Sequence, residues 1–178
     1  MADPTIERRF KTLVLPHLNS AFNVARWLTR NDQDAQDVAQ EAYLRAFKFF
    51  PGFRGENARA WLLSIVRNTF YTWCQERREQ ASGTVFDEEM HSLETSDTHQ
   101  DDNPEATLIR SESQEQVHRA LRGLRLEFRE VIVLRELEEL SYKEIAAIVG
   151  IPIGTVMSRL GRGRQQLAAL LAPMNQEK

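Results

Sequence analysis

Apolar residues recur at intervals of three and four along the first eighty positions. Ile6, Phe10, Leu13, Val14, His17, Leu18, Ala21, Phe22, Ala25 and Leu28 form one stripe, the spacing of a single buried helix face. Asn31 and Asp32 interrupt it and supply a cap for the next helix. Ala35, Val38, Ala42 and Phe47 continue the period until Pro51-Gly52, which cannot extend a helix. Ala58, Trp61, Leu62, Ile65, Val66, Thr69, Phe70 and Trp73 predict a third helix. No alternating pattern competes, so the block reads as helices only.

From residue 79 the pattern lapses. Ser, Thr, Asp, Glu, Gln and Gly dominate residues 79–103, with Val85, Phe86, Met90 and Leu93 scattered among them. Such a stretch buries too little to offset its chain entropy and reads as a flexible linker. Asn103-Pro104 then forms a helix-start pair. Periodicity returns with Ile109, Val117, Ala120, Leu121 and Leu124, then Phe128, Val131, Ile132, Leu134 and Leu137. Ser141 and Glu144 fit a capping box for a short helix that Gly150 ends. Pro152 opens another, with Val156, Leu160, Leu167 and Leu171 inward. The expected fold is all-α, with helical domains at 1–78 and 104–178 joined by the linker at 79–103.

Composition narrows the function. No apolar run approaches the roughly 18 residues of a membrane span, and the polar first ten residues do not resemble a signal peptide. A cytoplasmic location is expected. The single cysteine, Cys74, excludes an internal disulfide and a multi-cysteine zinc site. It follows Phe70 by four and reads as a buried structural thiol. No phosphate loop, nucleophile elbow or metal-helix motif is present, so an enzyme is not expected, nor a cofactor. His91, Asp97, His99, Asp101 and Asp102 lack a firm ligand spacing, so no metal is expected either. The overall charge of −3 hides an asymmetry. Residues 1–78 carry 12 basic and 8 acidic side chains, residues 79–117 carry 1 and 11, and residues 118–178 carry 10 and 7. Two mildly basic blocks flanking an acidic middle fit nucleic-acid contact at the blocks.

The sharpest chemistry lies at Ser141–Leu167. A short helix, a tight turn at Gly150 and a second helix make a helix-turn-helix, whose second helix offers its outer N-terminal face to a major groove. Thr155, Ser158, Arg159 and Arg162 are expected on that face, where their donors can reach base edges or phosphates. The stretch L-S-Y-K-E-I-A-A-I-V-G-I-P-I-G-T-V-M-S-R-L at 140–160, followed by G-R-G-R, closely resembles region four of bacterial sigma factors of the extracytoplasmic-function (ECF) group. D-A-Q-D-V-A-Q-E-A-Y-L-R-A-F at 34–47, F-R-G-E at 53–56 and W-L-L-S-I-V-R-N-T at 61–69 resemble that family's region two. Two motifs in the right order and separation are far more specific than one helix-turn-helix.

The resemblance implies partners and sites. Core RNA polymerase would dock on Asp37, Gln40, Glu41 and Arg45, polar positions sharing a face away from Val38 and Ala42. The minus-ten promoter element would meet Arg67, Asn68, Tyr71, Trp73, Arg77 and Arg78. Melted bases stack on aromatic rings for about 1–3 kcal/mol each, while arginines hold the backbone. Asn68 and Tyr71 fall off the apolar stripe; Phe70 falls on it. A loop from Gln75 to Gly83 would wall a pocket for a flipped base. The minus-thirty-five element would meet Thr155, Ser158, Arg159 and Arg162. An anti-sigma factor covering both domains is a further implied partner, and contact with a membrane is expected only through it. Met157 and Gly161 depart from the family pattern, which commonly has Lys or Arg at the first and an aromatic or His at the second. Gly161 and Gly163 each lower helix propensity by about 1 kcal/mol, so that half of the helix is expected to order on DNA or a partner. Two other classes compete. A dimeric regulator would bind palindromic duplex and ignore polymerase, and a helical interaction protein would show no salt-dependent DNA binding.

Overall fold

The computed structural model describes residues 3–81 and 112–173, and every regular element in them is helical. Helix α1 is Pro4–Leu13, α2 Leu18–Thr29, α3 Asp32–Phe49 and α4 Ala58–Ala81. Beyond the undescribed stretch come α5 Glu112–Arg122, α6 Leu126–Ile132, α7 Tyr142–Val149 and α8 Ile153–Leu171.

The first bundle is built on short-range signals. The Asp3 carboxylate accepts the Thr5 N–H at 2.9 Å and Pro4 opens α1. The stripe expected to be one helix is two. Pro16 lies in a 3₁₀ turn at Leu15–His17, where its missing N–H leaves no helical bond to continue. The apolar phase survives the break, so the stripe still faces one core. Arg30 closes α2 in the left-handed region at φ 57°. Asn31 caps α3 by accepting the Asp34 N–H at 3.0 Å, with Asp32 and Asp34 against the positive helix start. Ala35, Val38, Ala42 and Ala46 are fully buried. Their small side chains let α3 lie close against α2 and α4, which contribute Val24, Leu28, Leu62, Leu63, Val66 and Phe70. At one end Phe10 meets Tyr43, Phe47 and Phe50 edge to face, at ring separations of 5.1–5.4 Å.

Helix α4 runs three residues past the expected boundary at 78, to Ala81. Gln75–Ala81 is therefore helix rather than the pocket-lining loop expected from the sequence. Gln, Glu and Arg are good helix formers, and Gln75 donates to Glu79 one turn on at 3.3 Å. Ser82 and Gly83, the remainder of that loop, lie outside the described residues. So do most of the expected linker, the Asn103-Pro104 start, Ile109, and His91, Asp97, His99, Asp101 and Asp102.

The second bundle packs α8 across α5, α6 and α7. A widened π turn at Val133–Leu137 follows α6. The capping box forms in full: Ser141 Oγ accepts from Glu144 N at 3.1 Å and Glu144 accepts from Ser141 N at 2.7 Å. Gly150 closes α7 at φ 75°, where a Cβ would be strained. Pro152, extended, is the N-cap, so α8 begins one residue later than the sequence suggests. The chain bends by 99° between α7 and α8, within the range for a helix-turn-helix. Helix α8 runs continuously through Gly161 and Gly163. Gly163 is buried where α8 crosses Phe128 and Ile132, and that close packing outweighs its poor propensity.

The two bundles share a core. Val24, Leu28 and Leu63 face Val133, Leu134 and Ile148 across the junction. No single helix among the described residues is long and apolar enough to cross a membrane.

Candidate nucleic-acid and polymerase interfaces

Three groups of expected residues fall in three settings. The first is the outer face of α3. Asp37, Gln40 and Glu41 are exposed there, opposite the buried Val38 and Ala42. Arg45 is half-buried and donates to Glu41 at 2.8 Å, one turn back. The face has a residue that sequence reasoning missed. Leu44 is 55 % exposed and sits three and four positions after Glu41 and Gln40. Its signal was its place off the apolar stripe, two residues after Ala42. An exposed leucine among polar groups suits a protein contact, where apolar centres carry most of the binding.

The second group lies on α4, and its members divide. Asn68 and Arg78 are exposed on the outer surface. Trp73 is half-buried, packed on the core and stacked near Phe70, with the Arg77 guanidinium 4.4 Å from its ring centre. Arg77 also pairs with Asp34 at 3.4 Å. Burial pushes the Asp34 carboxyl up from its ordinary value, against the pull of Arg77. Phe70 is buried, as its position on the stripe required. Tyr71 was expected to be free of the core, yet it is half-buried and packed against it. Its hydroxyl donates to Glu130 of α6 at 3.3 Å. Arg67 donates to both oxygens of Glu130, from Nε at 2.9 Å and Nη2 at 3.2 Å, with its guanidinium 4.5 Å from the Tyr71 ring centre. Burial, then the Glu130 charge, pushes the Tyr71 hydroxyl up to about 12. Burial works against the charge of Arg67, but the Glu130 bond and charge outweigh it and its pKa rises. Cys74 is half-buried, not buried, and burial raises its thiol pKa. A raised thiol is a poor nucleophile.

The third group lies on α8. Ser158 and Arg162 are exposed on its outer face, and Ser158 Oγ bonds the Thr155 carbonyl at 3.1 Å. Gly154 and Gly161 leave open space around that face. Thr155 and Arg159 are half-buried. Arg159 comes within 3.9 Å of Glu130. Met157 and Ile153 are exposed apolar residues beside the outward face.

The fold thus gathers Arg67, Tyr71 and Arg159 around one carboxylate, although they lie on two helices expected to meet different DNA elements. Glu130 is 2 % exposed. It was not singled out in the sequence, where a Glu in a charged helix carries no mark of burial. Among the described residues no group of three or more His, Cys, Asp or Glu could hold a metal ion.

Comparison with known proteins matches both halves of the chain. Residues 13–80 match the family described as Sigma-70 region 2, and residues 114–167 match Sigma-70, region 4. The chain is 33 % identical over 174 residues to the RNA polymerase sigma-H factor of Pseudomonas aeruginosa, covering 96 % of this chain and 90 % of that one. It is 33 % identical over 172 residues to the ECF RNA polymerase sigma-E factor of Escherichia coli K12, covering 94 % and 89 %. Among solved structures, the sigma factor RpoE in complex with the anti-sigma factor NepR, from Bartonella quintana, superposes with a TM-score of 0.71 at 32 % identity, covering 93 % of this chain and 98 % of that one. CnrH in complex with the cytosolic domain of CnrY superposes with a TM-score of 0.64 at 28 % identity, covering 94 % and 90 %.

Proposed function

The chain belongs to the ECF RNA polymerase sigma factor family, and from that premise we propose that it binds core RNA polymerase and directs initiation at promoters with two recognition elements. The observation that carries the reading is the helix-turn-helix. A complete capping box, a left-handed Gly150 and a 99° bend present Ser158 and Arg162 of α8 outward. That geometry suits the start of α8 to a major groove, with its side chains on base edges and phosphates of the minus-thirty-five element. Thr155 and Arg159, half-buried beside them, complete the set.

The outer face of α3 supplies the polymerase contact, with Leu44 at its centre and Asp37, Gln40, Glu41 and Arg45 around it. Helix α4 supplies the minus-ten contact. Asn68, Arg77 and Arg78 lie outward, and Arg67, Tyr71 and Trp73 add cations and ring faces for an unstacked strand. The chain makes and breaks no covalent bond; opening comes from binding the melted strand better than the duplex. An anti-sigma factor is the expected regulator, supported by the superposed relative that is a sigma factor held by such a protein. The test is reconstituted transcription on a library of genomic fragments. Core polymerase plus this chain should yield transcripts that core alone does not, with start sites sharing two upstream elements at constant spacing. Identical transcript profiles with and without the chain would contradict the proposal.

A further inference from the structure

Helix α8 carries more on its outer side than hydroxyls and arginines. Met157 is 55 % exposed and Ile153, one turn before it, 45 %. Isolated exposed apolar residues are ordinary on a protein surface. These two are set apart by where they lie, since the first turns of the second helix are what a helix-turn-helix inserts into a groove. At about 100° per residue, α8 presents three rows there. Ser158 and Arg162 form the middle one, Thr155 and Arg159 flank it on one side, and Ile153 and Met157 flank it on the other. A Cβ added at Gly154 or Gly161 would meet nothing within 4 Å, so the middle row and the apolar row lie open together.

The chemistry of the apolar row narrows what it can meet. A thioether and an aliphatic chain offer a phosphate neither charge nor donor. The α8 cation on that side, Arg164, is turned back onto Glu136 of its own bundle, at 2.6 and 3.2 Å. The row has no donor for a base edge either. One apolar group does stand in the major groove, the C5-methyl of thymine. Methionine suits it, because its chain is flexible and its sulfur polarizable, so it fits itself to a small apolar surface. We infer that Met157, supported by Ile153, is a specificity-determining residue that reads a thymine methyl in the upstream promoter element, beside the base pairs met by Ser158 and Arg162. The inference deepens the proposed function and rests on it.

The templates for the test are promoters located by transcription with core polymerase. Within the upstream element each thymine is replaced in turn by deoxyuridine, which removes the methyl and keeps every hydrogen bond. Holoenzyme affinity for each duplex is measured by competition against the fluorescein-labelled parent duplex. Burying one methyl corresponds to about a fourfold change in affinity. In wild type, at least one thymine should show that loss. With Met157→Ala the same replacement should have no effect. With Met157→Leu, apolar and of similar volume, it should cost close to the wild-type factor. Arg162→Ala should weaken binding to every duplex and leave the ratio of thymine to uracil unchanged. Met157 and Arg162 are both exposed, so these variants should fold. An upstream element with no thymine whose methyl matters to wild type would overturn the inference and leave the sigma reading intact. The same sensitivity in Met157→Ala as in wild type would overturn it in the same way. Met157→Ala that no longer co-elutes with core polymerase would give the row to a protein contact and also overturn it. A chain that yields no promoter with core polymerase fails at the sigma reading, and the inference falls with it.

Discussion

Replacing Gly161 and Gly163 in turn by alanine sets the same substitution, two residues apart on one helix, against two different surroundings. Both gain the same intrinsic propensity, about 1 kcal/mol per glycine replaced in a helix interior. A Cβ at Gly161 meets nothing within 4 Å, so Gly161→Ala should keep the whole gain. A Cβ at Gly163 would lie 3.1 Å from Ile132 Cγ1 and 3.2 Å from Phe128 Cβ. The first neighbour is a packed side chain that is 2 % exposed. The second is fixed by the α6 backbone and no rotamer change moves it, so α6 and α8 must part. Overpacking of this kind costs about 1–3 kcal/mol. Propensity cancels in the comparison, and Gly163→Ala should be less stable than Gly161→Ala by that amount. Relative to wild type, Gly161→Ala rises by about 1 kcal/mol and Gly163→Ala falls, or at best breaks even. Urea unfolding followed by helical circular dichroism measures both. Equal midpoints for the two variants would refute the close crossing of α6 and α8 at Gly163.

Asn31→Ala removes the acceptor for the Asp34 N–H and should cost about 1 kcal/mol in the same assay. The N–H of Ser141, with smaller help from the Ser141 hydroxyl and Asn57, holds the Glu144 carboxyl below its ordinary value of 4.5. A carboxyl depressed in the folded state stabilises fully above its unfolded pKa and loses that stabilisation as pH falls through the folded one. Thermal melting should therefore weaken below about pH 4.5, and Glu144→Gln should flatten that part of the profile. Arg129→Met strips the donors from the carbonyls of Trp27, Leu28 and Leu124. It should cost about 2–3 kcal/mol and split calorimetric unfolding into two transitions, one for each bundle. A single unshifted transition would show that Arg129 does not couple them.

Local features were legible in the sequence because their causes are local. The stripes of α3, α4 and α8 follow from residues three and four apart. The Ser141–Glu144 box and the Gly150 stop follow from side-chain and backbone chemistry within one turn. The helix break at Pro16 was hidden because the apolar phase runs through it. The junction was hidden for a different reason. Arg67, Tyr71, Arg129 and Glu130 look like solvated side chains, and only partners 59 to 102 positions away bury them. Gly163 shows the same division, since its poor propensity is readable and its approach to Phe128 is not. The exposed Leu44 was readable as an off-stripe leucine, and became meaningful once α3 had an inside and an outside.

The central claim is that the outer face of α3 binds core RNA polymerase. Co-elution of the purified chain with core polymerase in gel filtration, wild type against Glu41→Arg, tests it most directly. Glu41 is exposed, so the variant should fold normally while reversing charge on that outer face. Wild type should co-elute with polymerase, and folded Glu41→Arg should not. Wild type eluting apart from polymerase, with no inhibitor present, would contradict the claim.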